Sequence, residues 1–135
     1  MRNPEVQKLL DEKIDDIAGV RCAVVLAEDG LPLYWSGFDE ETALRRSPLA
    51  ASLGNLASRV AAEEGGGAVR RTLIEMEGGF FVVARAGSNT FLAVTTKPDA
   101  NLGHIGYELT LLTKRLGPVL DAEQRPLPAE GGAPA

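Results

Sequence analysis

Apolar residues at positions 6, 9, 10, 14 and 17 recur at helical spacing, which predicts a first helix over residues 4–18. Asn3 is placed to cap it, Pro4 suits its first turn, Glu5 faces the positive end of the helix dipole, and Gly19 ends the pattern. Residues 20–27 are apolar on both faces and predict a buried strand. An Asp29-Gly30 turn leads into a returning strand over 31–36. Pro32 cannot donate to a ladder, so this second strand belongs at a sheet edge. Residues 39–64 read as helical, with a break or restart expected at Ser47-Pro48, and the glycines at 65–67 stop the helix. Three strands follow at 69–77, 80–86 and 90–96, joined by tight turns at Gly78-Gly79 and Gly87-Ser88-Asn89. In the first of these, Thr72, Ile74 and Met76 alternate with Arg71, Leu73, Glu75 and Glu77, so one face meets water. Asp99 is expected to cap a last helix with an unbroken stripe of Leu102, Ile105, Leu109, Leu112, Leu116 and Leu120. Residues 121–135 have little to bury and predict a disordered tail, which leaves 4–120 as the domain.

Hairpins make the first two strands neighbours and the last three a meander. Placing the proline-bearing second strand and the charged third strand at the edges gives an antiparallel sheet of order 2-1-5-4-3. Strands apolar on both sides need helices on both faces. The expected fold is an α/β (α+β) three-layer α/β/α sandwich.

Composition narrows the function more than the fold. The chain has 135 residues, 44% hydrophobic and 24% charged, which is the balance of one ordinary globular domain. A net charge of −5 weighs against nucleic acid as a main ligand. No apolar run approaches the ~18 residues of a membrane span, and the acidic amphipathic N-terminus does not resemble a signal segment, so a cytoplasmic location is expected. Cys22 is the only cysteine and His104 the only histidine, so neither a disulfide nor a multi-cysteine metal site is expected. Cys22 lies in an apolar strand, which suits a buried inert thiol. The glycines at 65–67 lack the Lys-Ser/Thr of a phosphate loop and precede a strand. The carboxylates at 39–41 fit dipole compensation, and Arg70-Arg71 is too small for a nucleic-acid stripe. The expectations are therefore no catalytic residue, no cofactor and no metal.

The anomaly is the second helix. Between 49 and 62 its only charged residue is Arg59, whereas a helix on the surface of a lone globular chain carries far more charge. Leu49, Leu53, Leu56 and Val60 form one stripe, expected to dock on the sheet. Ala50, Gly54, Ala57 and Ala61 form a second seam of small residues, expected to be covered by another helix. A second copy is the expected cover, because two-fold homodimers are the commonest oligomers. The third strand extends this interface as an edge able to pair with its own copy. The expected dimer contacts are Ala50, Leu53, Gly54, Ala57, Ala61, Arg71, Leu73 and Glu75.

The run AVVLAEDGLP at 23–32, the Ala/Leu-rich second helix, GFFVV at 79–83 and ANLG at 100–103 together resemble the Roadblock/LC7 family in its small bacterial, actinobacterial form. The resemblance spans about residues 5–120. It implies a profilin-like fold, homodimers through the second helix and third strand, and binding to Ras-like small GTPases. Family members serve as co-GTPase-activating proteins or scaffolds. Many actinobacterial ones resemble proteins encoded beside a histidine-kinase-like protein and a small GTPase. The chain departs from the pattern at His104-Ile105-Gly106-Tyr107, where relatives commonly carry aliphatic residues and an arginine, and at Pro48. The resemblance carries no catalytic residue.

Two functions follow. One is a homodimeric, non-catalytic module that binds and regulates a Ras-like GTPase in bacterial signalling, with Arg45, Arg46, Ser52, Asn55 and Arg59 as its contact surface. The alternative is a profilin- or PAS-like small-ligand sensor.

Overall fold

The computed structural model describes residues 3–124. Helix α1 (Pro4–Asp16) starts as its sequence dictates: Asn3 is extended and its side chain accepts from the Glu5 N–H. It stops two residues before the expected end, because Ile17 turns extended and is buried, and Gly19 takes a left-handed φ of 91° beside Ala100. Strand β1 (Val20–Ala27) then crosses the molecule and returns as β2 (Pro32–Ser36). Helix α2 (Glu40–Glu64) follows, capped by the Asp39 side chain on the Thr42 N–H and closed by Gly65 in the left-handed region. The meander β3 (Thr72–Met76), β4 (Gly79–Gly87) and β5 (Thr90–Thr96) leads into α3 (Leu102–Gln124).

The five strands form one antiparallel sheet in the order β2-β1-β5-β4-β3, with β2 and β3 at its edges as the pattern required. Helices α1 and α3 cover one face. Leu10 and Ile14 of α1 and Ile105, Leu109, Leu112, Leu116 and Leu120 of α3 are buried there with Ala23, Val25, Val82, Leu92 and Val94. Helix α2 covers the other face alone, over Val24, Leu26, Val83, Phe91 and Ala93.

Four further expectations change. Helix α2 does not break at Pro48, which is built into its interior. Losing one backbone bond there costs about 3 kcal/mol. The buried Ala43 and Ser47 before the proline and Ala50, Ala51 and Gly54 after it form one docked stripe, and that docking outweighs the loss. The cap of α3 is Asn101 rather than Asp99: its side chain accepts from the His104 N–H. Strand β3 is shorter than the 69–77 pattern, and Leu73, Ile74 and Met76 leave both of its faces exposed because neither layer of helices reaches over it. Helix α3 runs four residues past the boundary at 120. Asp121 accepts from Ser88 N–H and Oγ, and Glu123 accepts from the buried Tyr34 hydroxyl, which itself accepts from the Asn3 N–H. The remainder of the expected tail, 125–135, lies outside the described residues.

Candidate interaction surface

The largest change from the sequence reading is the way α2 faces. Its small residues meet the sheet: Ala50 is fully buried, and a Cβ added to Gly54 would come within 2.6 Å of the Phe91 ring. Ala50 and Gly54 therefore belong to the chain's own core, not to an outer seam. The large residues point away, with Leu49 67%, Leu56 57% and Val60 55% exposed. The physical reason is that this face of the sheet carries aromatic bulk in Trp35, Phe81 and Phe91, joined by Phe38 from the β2–α2 connection. Rings occupy the space where leucines would otherwise dock, so the helix presents alanine, serine and glycine and sits close. That aromatic content was the signal available in the sequence, read strand by strand.

The exposed side chains of α2 do not stand alone. Between α2 and the β3 edge runs an open groove of about 610 Å³, lined by Leu49, Leu53, Leu56, Ile74 and Met76 over Phe81, with Arg46 and Thr95 at its margin. Leu53, Ala57 and Ala61 border a second apolar cleft beside it, against Val69 and Leu73. Leu49, Leu56, Val60, Ile74 and Met76 are thus surface members that the sequence reading assigned elsewhere or left out. Of the expected strand contacts, Leu73 pairs with Val82 and shares its face of the sheet, on the α3 side. Arg71 leans the same way: its guanidinium reaches the Thr110 hydroxyl at 3.5 Å and lies against Gly106, where an added Cβ would meet it at 3.0 Å. The departure at 104–107 thus gives room to an arginine. Glu75 is exposed at the edge.

The five expected GTPase contacts separate. Arg45, Ser52 and Arg59 are exposed. Arg46 is half-buried, stacked 5.2 Å over Phe38 and within reach of Cys22 Sγ and Thr95 Oγ1. Asn55 donates to the Glu28 carbonyl and so ties α2 to the β1–β2 turn. Arg85 is likewise engaged, 4.5 Å over the Phe91 ring and 3.2 Å from Glu28.

Chemical groups stay scattered. Cys22 is buried, His104 is exposed in the first turn of α3, and no three His, Cys, Asp or Glu residues gather to hold a metal among the described residues. Asp39 has its pKa held below the ordinary aspartate range by hydrogen bonds from the Thr42 side chain and backbone N–H, which is a capping effect. A cavity of about 190 Å³ beside Gly54, Ser58 and Phe91 is smaller than the roughly 300–1,000 Å³ of usual ligand pockets. No described helix is long and apolar enough to cross a membrane.

A five-stranded antiparallel sheet of order 2-1-5-4-3, with one helix on one face and two on the other, is the profilin-like class of fold. Acanthamoeba castellanii profilin IA superposes with a TM-score of 0.57 at 18% identity, covering 82% of this chain and 94% of that one. Within that class the sequence profile of the Roadblock/LC7 domain matches residues 6–96, and the chain belongs to the Roadblock/LC7 family. The solved Roadblock/LC7 domain from Streptomyces avermitilis is 31% identical with a TM-score of 0.80, over 84% of this chain and 96% of that one. An MglB solved in a tetrameric arrangement shares the fold at 16% identity and a TM-score of 0.78, over 88% and 90% of the two chains. Comparison with curated protein sequences gives no significant match.

Proposed function

We propose that the protein is a homodimeric, non-catalytic interaction module that binds and regulates a Ras-like small GTPase, as co-activator of hydrolysis or as scaffold. The observation that carries the reading is the outer side of α2. Leucine and valine side chains stand in solvent there, beside an edge strand with Ile74 and Met76 also exposed. Contiguous apolar surface of this kind marks a binding site. Family membership supports a regulatory partner, and the tetrameric arrangement of an MglB supports self-association. Within this reading the groove between α2 and β3, with Ser52 in its lining, is covered by a second copy, and the exposed Arg59 of α2 beside it meets the GTPase. Regulation follows from differential affinity for the two nucleotide states, since a partner shifts an equilibrium only by that difference.

The test uses the Ras-like GTPase encoded nearest to this chain's gene, loaded with GDP or a non-hydrolysable GTP analogue. Binding is expected to favour one state and to weaken about tenfold, or 1.4 kcal/mol, in Arg59→Glu. Equal absence of binding in both states removes the GTPase from the reading. Unchanged affinity in Arg59→Glu removes that residue from the contact.

A further inference from the structure

Helix α2 does not stay docked along its whole length. Its buried residues end at Gly54, and none of residues 55–64 is buried. Helices α1 and α3 keep a buried residue close to their ends, at Ile14 and Leu120. The connection from α2 to β3 does not close the gap. Gly65 and Gly67 are left-handed, and a Cβ added to either meets nothing within 4 Å. Under this overhang lies the cavity of about 190 Å³. Its roof is Gly54, Ser58 and Ala61, side chains too small to fill the space above Val83 and Phe91. We propose that this cavity is a binding site for a small planar carboxylate of about benzoate size, its ring under the end of α2 and its carboxylate on Arg85. The cavity shares no lining residue with the groove beside Ile74 and Met76, so the proposal stands whether or not the chain self-associates.

Size, wall and charge together define the ligand class. An apolar cavity of about 150 Å³ holds a benzene ring, so this one holds a ring with one small substituent and little more. A void leaves its lining short of packing contacts, and a ligand restores them. The lining side chains are apolar apart from the hydroxyls of Ser58 and Thr72 and a single charged group, Arg85. That arginine is only partly engaged. Its hydrogen bonds to Glu28 and to the Ser88 carbonyl both leave from Nη1, and no described residue accepts from Nε or Nη2. Those two nitrogens form an edge that takes a carboxylate through two parallel bonds. The guanidinium carbon stands 4.5 Å from the Phe91 ring centroid, which sets the charge against the aromatic wall. The Glu28 pair does not close the position, because an ion pair with side chains 36% and 42% exposed is weak enough for a second carboxylate to compete. The whole chain carries −5 and repels anions, so a preference for one has to come from a local cation.

The experiment titrates the isotope-labelled full chain with benzoate and, separately, with benzamide, a neutral compound of the same shape, and follows the amide signals by NMR. Benzoate is expected to give saturable shifts at Ser58, Ala61, Gly67 and Thr72 and to bind about fivefold more tightly than benzamide. Arg85→Gln is expected to bring benzoate down to the benzamide level while leaving benzamide binding unchanged. Ser58→Leu and, independently, Ala61→Leu fill the cavity from its roof, and each is expected to abolish both responses while signals from the α1/α3 face stay in place. Benzoate shifts that never saturate, or that persist in a filled variant, overturn the site. Equal affinity for the two compounds in wild type, or benzoate affinity unchanged in Arg85→Gln, overturns the carboxylate assignment.

Discussion

The two faces of one sheet are covered in opposite ways. Under α1 and α3 the helices bury leucine and isoleucine against valines and alanines, although α3 also leaves Tyr107, Leu111 and Val119 exposed. Under α2 the bulk comes from Phe81, Phe91 and Trp35 of the sheet and Phe38 of the β2–α2 connection, and the helix supplies alanine, serine and glycine. The same close packing is reached both ways. The second arrangement leaves more to spare: Leu44, Leu49, Leu56 and Val60 of α2 are each more than half exposed. The α1/α3 face therefore stabilises the fold, and the α2 face both closes the core and offers a surface.

The comparison is sharpest where equal substitutions are made on the two sides. Leu112→Ala, deep under α3, is expected to lose about 2–5 kcal/mol in denaturant unfolding. Leu56→Ala, exposed on α2, is expected to change the stability of the single chain by less than about 0.5 kcal/mol while weakening self-association. Equal losses at both positions erase the distinction. Gly54→Val comes next, at about 1–3 kcal/mol, because its added atoms run into the Phe91 ring, which also carries the Arg85 guanidinium 4.5 Å from its centroid. A tolerated valine means that α2 does not lie as close as the small residues imply. The smallest effect is at the start of α2. The folded pKa of Asp39 is depressed, so its contribution is present above the unfolded value and is lost as pH falls through the folded one. Asp39→Ser keeps a capping oxygen without the titration and is expected to flatten the acid limb of a plot of Tm against pH.

Much of this was legible in the chain. The strand order followed from the Asp-Gly and glycine turns, from Pro32 at one edge and from alternating charges at the other. The α3 stripe was read residue by residue. Helix ends were less legible: Asn101 and Asp99 are both capable caps, and which one serves depends on where the chain leaves β5. The end of α3 was set by Ser88 and Tyr34, far away in sequence, which hold Asp121 and Glu123.

The sequence by itself determined that α2 carries more apolar surface than one chain can cover, because a count of charges does not depend on how a helix is turned. Only the tertiary structure decided which apolar face is covered. Periodicity groups residues into stripes but does not say which stripe meets the sheet; that depends on the volume the opposing strands leave. Phe91 against Gly54 leaves none for a leucine, so the leucines turned outward.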